Sequence, residues 1–468
     1  SENKRFDWCR GYHVGGRSLL WGRQSYRLGD LDFEANAKDG FGVDWPIRYQ
    51  DISPWYDYVE QFAGISGSNE GLAQLPDGKF LPPFEMNCLE KQTSERIAKA
   101  MGGRRMINAR VANLSIPHNG RGGCQRRNRC IRGCPYGAYF SSNASTLPAA
   151  YASGNLTLRP FSIVTEVIYD ADSKKAKGVR IVDSETGQAM EYFAKVVFLC
   201  ASAIASTSIL LNSKSDRFPN GMGNDSGELG HNLMDHHFKV GASGRYEGFE
   251  DKYYKGRRPT GIYVPRFRNL GDKASHQKDY VRGFGYQGGA SRQNWTRGVA
   301  ELARFGADLK ADLVSPGEWR MGIGSWGEHL PYHENRMFLN PNMTDKWGLP
   351  TVTFECDFKE NEHNMRKDMK QSAVDMLEAS GFTDINPFDD PTSAPVLCIH
   401  EMGTARMGRD AKTSVLNGHN QVHGAANVFV TDGACMTSSA CVNPSLTYMA
   451  LTARAADFAV AELNRNNL

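Results

Sequence analysis

The sequence predicts a mixed α/β and α+β chain built as two domains. Three observations carry that expectation. At 468 residues with 40% hydrophobic content, the chain is too long for one average domain and rich enough to fill two cores. Residues 196–212 read strand, small-residue turn, helix, the unit of a parallel α/β layer that leans on a nucleotide. From about 239 to 399 the texture changes to alternating, aromatic-rich runs that read as an antiparallel sheet.

Charge and cysteine usage narrow the class. Lys+Arg number 55 and Asp+Glu 52, a formal net charge of +3, so the chain carries no electrostatic footprint for nucleic acid or a membrane surface. No run of 18 apolar residues occurs, so no transmembrane helix is expected. The N-terminal SENKRFDWCRG is polar, without a signal-peptide core. Of ten cysteines, Cys124, Cys130 and Cys134 cluster, Cys435 and Cys441 share a late loop, and Cys9, Cys88, Cys200, Cys356 and Cys398 are isolated. Such clustering points to metal or redox work rather than a disulfide framework. The Cys435/Cys441 spacing leaves a disulfide between them open.

In chain order, GYHVGGRSLLWGRQSYR (11–27) holds Gly15-Gly16, which lets a backbone approach something closely, and Ser18, whose surroundings offer N–H groups to a phosphate or ring; an ordinary glycine-rich loop is the plainer reading. Pro54 suits the first turn of a helix with Trp55, Tyr56, Val59 and Phe62 facing a core. LPPFEMN (81–87) reads as edge strand or loop, 91–110 as helix and 110–117 as strand. That strand empties into the cysteine loop, spaced Cys124-x5-Cys130-x3-Cys134 with Pro135 after it. Three thiolates suit a soft metal; a cubane or a structural zinc wants a fourth ligand, and no cysteine or histidine in the window supplies it. The loop therefore fits a three-iron cluster, or a cubane with an outside ligand, and Arg121, Arg126, Arg127, Arg129 and Arg132 offset its negative charge; three unconnected surface cysteines are the alternative.

Residues 155–170, GVRIVD and VVFLCAS read as strands, and ASAIASTSILLNS as helix. Of the histidines at 231, 236 and 237, the adjacent pair faces opposite ways in a strand and cannot easily share an ion, so a structural or polar-network role is expected. Gly322, Gly324 and Gly327 spell GxGxxG, but no helix pattern comes after them, so the run reads as a loop and not a nucleotide turn. A helix is expected at about 360–380. Finally, His400 opens HEMGTARMG, Val428–Val430 reads as a strand ending in Asp432-Gly433, and a Cys/Ser/Thr-rich loop reaches Asn443-Pro444 before a closing helix. Polar reactive groups between a strand end and a helix start suggest chemistry at a sheet edge.

These runs, VGGRSLLWG, DWPI, LPPFE, CASAIASTSILLNS, GELGHNLMDHH, GEHLPYHENR, HEMGTARMG, NVFVTDGA and NPSLTYMALTAR, resemble the glucose–methanol–choline (GMC) family of flavin oxidoreductases over essentially the whole chain. The cysteine loop narrows the resemblance to catalytic subunits of bacterial sugar dehydrogenases, and within them to glucoside 3-dehydrogenases. The resemblance implies a Rossmann-like FAD-binding domain (1–80, 120–238 and 400–468, with an iron–sulfur loop at 121–139) and an antiparallel-sheet substrate-binding domain (81–119 and 239–399). Family members open with a strand, a GxGxxG turn and a helix, a segment of roughly 80 to 100 residues once its connection to the next element is included. That segment does not precede residue 11; either it lies outside these 468 residues or this form lacks much of its FAD cradle.

The resemblance also implies roles. His400 takes the proton of a sugar hydroxyl while the carbon-bound hydrogen passes to FAD, and Asn443 hydrogen-bonds the same oxygen. Gly15, Gly16, Ser18, Trp21, Gly22, Asp432, Gly433, Asn443 and Pro444 contact FAD. Cys124, Cys130 and Cys134 hold a [3Fe-4S] cluster that passes electrons to a cytochrome c. The product is a keto sugar, oxidised at C3 of a glucoside or disaccharide. The expected setting is periplasmic, with a small subunit carrying the export signal and any membrane association made through partners. As the plainer readings, His400 is a satisfied core histidine and Asn443 caps the last helix with Pro444 at its first position. The rival functions are another sugar or polyol dehydrogenase or oxidase of the family, and a non-catalytic carbohydrate-binding or scaffold subunit.

Overall fold

The computed structural model describes residues 11–252, 259, 261–292, 304–314, 316–392 and 395–468; Cys9 and the polar run around it lie outside them. After a 3-10 turn at Gly16–Leu19 come α1 (Asp30–Phe33), α2 (Ala35–Asp39), α3 (Tyr49–Ala63), α4 (Cys88–Ala100), β1 (Ile107–Asn108) and α5 (Thr146–Ala152). β2 (Ser162–Asp170), β3 (Lys175–Asp183) and β4 (Ala189–Phe193) are next in the chain, then β5 (Val197–Leu199) and α6 (Ala203–Asn212). After these come β6 (His236–Tyr246), β7 (Ile262–Val264), β8 (Phe284–Arg292), α7 (Gly306–Val314), β9 (Trp319–Glu328), β10 (Arg336–Thr344), β11 (Pro350–Glu355), α8 (Glu360–Ala379) and β12 (Thr383–Asp389). β13 (Gln421–Val422), β14 (Ala425–Val430) and α9 (Ser445–Asn464) close the chain.

The largest sheet is antiparallel, ordered β1-β7-β8-β9-β6-β12. One face is covered by α8, whose Met365, Met369, Ala373, Met376 and Leu377 recur at helical spacing and pack on Val240, Ala242, Val264, Tyr286 and Met321. A second core surrounds the pairing of β14 with β5, which is parallel, with β13 beside β14. Phe198 and Phe429 stack there with ring centroids 4.7 Å apart, and the small Ala455 and Ala459 let α9 lie close against Phe429. β2-β3-β4 is an antiparallel meander, and β10-β11 a hairpin.

The long helices and the sheet texture appear where expected, and α8 matches its expected span almost residue for residue. Several boundaries differ. α3 begins at Tyr49, five residues before Pro54, because the Asp51 carboxylate accepts the Arg48 N–H and starts the helix there. α4 spans Cys88–Ala100 instead of 91–110: Asn87 and Glu90 form a reciprocal capping box, and Gly102-Gly103 ends the helix, Gly103 at φ 87°. Residues 110–117 make only isolated strand pairings, Val111 with Gln24 and Ser66, and Asn113 with Tyr139. The strand expected from 155 starts at Ser162, after Pro160 and the left-handed Phe161. The GxGxxG run is not a loop: it lies inside β9, in register with β6 and β8. A Cβ on Gly288 of β8 would stand 2.0 Å from the Gly322 carbonyl oxygen, so bare backbone is what lets these strands approach.

Candidate active site

The segment around His400 has no regular secondary structure, and its hydrogen bonds explain how it is held. Met402 and Met234 exchange both backbone bonds at 2.9 Å; the N–H groups of Gly403, Ala405 and Met407 donate to the carbonyls of Gly433, Ala434 and Cys435. The run is thus threaded between the approach to β6 and the turn after β14. Gly403 has φ 80°, and a Cβ there would lie 2.0 Å from the Asn232 carbonyl oxygen, so only glycine passes this point without displacement. Ile399, beside His400, is left-handed at φ 62°, a costly conformation for a β-branched residue and one that concentrates at functional sites.

Asp235 fixes the two strands of chain that meet here. Its carboxylate accepts the backbone N–H groups of His236 (2.8 Å), Cys398 (2.7 Å) and His400 (3.0 Å). Burial and the neighbouring Glu401 weaken it as an acid, raising its pKa to about 8 against the pull of those three donors. His236, the first residue of β6, places Nε2 2.9 Å from the Ala440 carbonyl oxygen and Nδ1 2.9 Å from His400 Nδ1. His400 Nε2 lies 3.3 Å from Asn443 Nδ2, and Asn443 Oδ1 accepts from Gln287 Nε2 at 2.5 Å. Burial holds His236 down to about 4 and His400 well below the ordinary histidine value, so both rings are neutral near pH 7. The structure therefore brings His400 and Asn443 into contact. It also settles one plainer reading. Asn443 does not cap α9: the N-cap is Pro444, without a side-chain bond, because the Asn443 amide is engaged by Gln287 and His400.

The other expected residues surround this pair. At the carboxyl ends of parallel β5 and β14 stand Cys200-Ala201-Ser202 and Thr431-Asp432-Gly433, the place where open α/β sheets bind ligands. Asp432 caps the Gly433–Cys435 turn through the Ala434 N–H and accepts from Ser206 Oγ of α6 at 2.5 Å; burial raises it to about 6. A Cβ on Gly433 would stand 2.2 Å from the Glu401 carbonyl oxygen. Gly15 and Gly16 are left-handed (φ 94° and 48°), and the added Cβ would meet nothing within 4 Å at Gly16 or Gly22, so that backbone faces open space. Ser18 is already engaged, accepting from the Ser142 N–H and donating to the Gly15 carbonyl. Trp21 donates its indole N–H to the Phe140 carbonyl. Arg17 ties this run to the histidine segment through Glu401 (2.7 Å) and the Ile399 carbonyl (3.0 Å).

Two buried polar atoms, Glu401 Oε1 and Tyr448 Oη, have no hydrogen-bond partner among the described residues. With the open backbone at Gly16 and Gly22 and the exposed Cys200, they fit a cradle made to take a polar, planar cofactor. Cys124, Cys130 and Cys134 are free thiols, each partly exposed. They lie close enough that Cys130 and Cys134 help burial raise Cys124, whose Sγ accepts the Arg126 N–H at 3.4 Å, a bond suited to a thiolate. They do not converge within 4.8 Å of one another as ligands of a single ion do; separate metal atoms of a cluster hold thiolates further apart. Cys435 and Cys441 are buried free thiols, so no disulfide joins them.

His236, Asp235 and Gln287 were not identified as site residues by sequence reasoning. The adjacent pair His236-His237 did carry a signal. As expected from their opposite facing, only His236 reaches His400, and His237 packs beside Phe358. A cavity of about 310 Å³ opens elsewhere, between residues 40–43 and 331–334; its Arg406 is already bound by Glu228 and Asn232, and neither His400 nor Asn443 lines it.

Two models of the GMC oxidoreductase family match the chain, over residues 1–238 and 331–452. A 2-methyl-1,2-propanediol dehydrogenase of Mycolicibacterium austroafricanum is 28% identical over 461 residues, 95% of this chain and 80% of that protein. The fructose dehydrogenase large subunit of Gluconobacter japonicus is 26% identical over 462 residues, 97% of this chain and 81% of that protein. Among solved structures, a formate oxidase variant from Aspergillus oryzae RIB40 aligns with a TM-score of 0.63 at 15% identity, over 97% of this chain and 84% of that one, which shows a shared fold.

Proposed function

The chain belongs to the GMC oxidoreductase family, and from that premise we propose that it is an FAD-dependent dehydrogenase oxidising a secondary ring hydroxyl, at C3 of a glucoside or disaccharide, to a keto sugar. The observation that carries the reading is the 3.3 Å contact between His400 Nε2 and Asn443 Nδ2, beside the carboxyl ends of β5 and β14. At that distance the bond is weak, and a substrate hydroxyl replaces it: the hydroxyl donates to Nε2 and accepts from Asn443 Nδ2–H. His400 then receives the hydroxyl proton at Nε2, while Asn443 holds the oxygen in place. FAD, when bound, supplies the acceptor for the hydrogen that leaves the substrate carbon. Gly15, Gly16, Trp21, Gly22, Asp432, Gly433 and Pro444 are the residues that would hold it, with Glu401 and Tyr448 offering unpaired polar atoms. A sugar substrate is supported by the relative named for fructose; the relative named for a small diol favours a polyol as the second reading.

We further propose that Cys124, Cys130 and Cys134 would hold a [3Fe-4S] cluster, which when bound would supply a one-electron path toward a cytochrome c in a periplasmic complex with a small export-signal-bearing subunit. In support, the cysteine loop leads directly into 140–143, which is hydrogen-bonded to the Gly15–Trp21 run at Ser18 and Trp21. His400→Ala is expected to keep bound flavin and iron while losing most glucoside-dependent turnover; normal turnover sinks the role of His400. Cys130→Ser is expected to lose cluster iron and its spin signal yet still bleach flavin absorbance with substrate; unchanged iron defeats the cluster. Product analysis on one glucoside fixes the oxidised carbon.

A further inference from the structure

We propose that His236 is a positioning residue that fixes the tautomer of His400, leaving the Nε2 lone pair free to take the substrate proton. This rests on the reading of His400 as the base. The argument starts at Ala440, whose carbonyl can only accept a hydrogen bond. His236 Nε2, 2.9 Å away, must therefore carry the hydrogen. Because the buried ring is neutral, its Nδ1 then bears the lone pair. His400 Nδ1 lies 2.9 Å from that lone pair, so it must be the N–H partner. A neutral His400 with Nδ1–H has its lone pair on Nε2, facing the Asn443 Nδ2–H donor. Reversing either ring sets two lone pairs or two hydrogens against each other. The chain of bonds has one direction, set by a backbone carbonyl outside the reacting centre.

Proton uptake leaves this arrangement intact. The imidazolium of His400 keeps its Nδ1–H bond to neutral His236, a charge-assisted bond stronger than the one it replaces. The other groups facing His400 do not compete for its Nδ1. The Asp235 oxygens serve the backbone N–H groups of His236, Cys398 and His400. Cys398 Sγ is 3.6 Å from Nδ1, a weak partner. Arg17, which disfavours the charged ring, is paired with Glu401. Asp235, His236, Cys398 and His400 bring ligand-type atoms within 4.8 Å of one another, the spacing of a mononuclear metal site. His236 Nδ1 and His400 Nδ1 are engaged with each other, so an ion held there would have to break the bond that fixes the tautomer.

The test compares His236→Asn, whose Oδ1 can accept from His400 Nδ1–H, with His236→Leu, which cannot. In the FAD-loaded enzyme, His236→Leu is expected to lower kcat about ten- to a hundredfold, the worth of a hydrogen bond to a charged group, with KM little changed. The acid limb of kcat/KM should move to lower pH, because the imidazolium loses its acceptor. His236→Asn should recover most of kcat and the wild-type limb. Long-range 1H–15N spectra of histidine-labelled protein, with the His400 signal identified by its loss in His400→Ala, read the tautomer without turnover: Nε2 unprotonated in wild type and His236→Asn, mixed in His236→Leu. Equal losses in the two variants with an unmoved acid limb, a protonated Nε2 in wild type, or one equivalent of a divalent ion bound at the pair each overturns the proposal. If instead His400→Ala retains turnover, the base assignment fails, whatever the spectra show.

Discussion

Replacing Gln287 with leucine removes the donor that orients Asn443, and the cost can be worked from the geometry. Gln287 sits on β8, in the antiparallel sheet, and is 8% exposed. Its Nε2–H is the partner of Asn443 Oδ1 at 2.5 Å, and it leaves Nδ2 aimed at His400. Leucine is close in size and leaves that acceptor buried and unpaired, a loss of about 1–3 kcal/mol. Without that anchor the Asn443 amide is no longer held with Nδ2–H toward His400 Nε2, so the substrate oxygen loses its oriented donor. At 1.36 kcal/mol per decade, kcat/KM should fall about 5- to 150-fold. The assay is steady-state oxidation of a glucoside, with flavin content and thermal midpoint measured on the same sample. Gln287→Glu is the comparison: its carboxylate cannot donate, so it should not rescue. Wild-type kcat/KM in Gln287→Leu, at unchanged flavin content, would falsify the claim that Asn443 acts through its oriented amide.

Two further expectations concern pH and backbone. His236 has a folded-state value of about 4 against about 6.5 unfolded, so its stabilising effect is complete above pH 6.5 and is lost as pH falls toward 4; wild type should lose about 2 kcal/mol more than His236→Leu between pH 8 and pH 5, read from denaturant midpoints, and equal losses would count against a buried neutral ring. Gly403→Ala and Gly348→Ala impose the same φ of 80°, but only the first meets backbone, 2.0 Å from Asn232 O, while the second meets nothing within 4 Å; the thermal midpoint should fall markedly more for Gly403→Ala, the clash adding about 1–3 kcal/mol to a shared strain cost.

Structure is legible in this sequence where the signal is local. Helix α8 announces itself through its Met/Ala/Leu spacing, and the run from Val428 to Pro444 through a strand, a polar loop and a helix. Contacts between remote segments leave no such mark. His236 and His400 are 164 positions apart, and Gln287 and Asn443 are 156 apart. Nothing in the neighbourhood of Gln287 distinguishes it from other polar residues in an alternating strand. Capping chemistry does leave a local mark: Asn87-x-x-Glu90 states the start of α4, and Asp51 states that of α3. The glycines of β9 read as a loop because no helix pattern follows them, yet they lie in a strand, where their bare backbone serves close strand packing.

The site is assembled from both cores, and that arrangement has a measurable consequence. His400 and Asn443 come from the part of the chain built around parallel β5 and β14, whereas His236 and Gln287 belong to β6 and β8 of the antiparallel sheet. The sheet therefore grips the reactive pair from its two outer ends, the ring at Nδ1 and the amide at Oδ1. Gln287 is useful only because it presents Asn443 Nδ2–H to a lone pair on Nε2. Once His236→Leu lets His400 populate the Nε2–H form, that same orientation sets donor against donor, and holding the amide in place no longer helps. In the His236→Leu background Gln287→Leu should thus cost clearly less than it does in wild type. A double-mutant cycle on kcat/KM should show a coupling of about 0.5 kcal/mol or more, of the sign for less-than-additive loss. Strict additivity would mean that the two residues support the site independently, and that the four side chains do not act as one directed chain of hydrogen bonds.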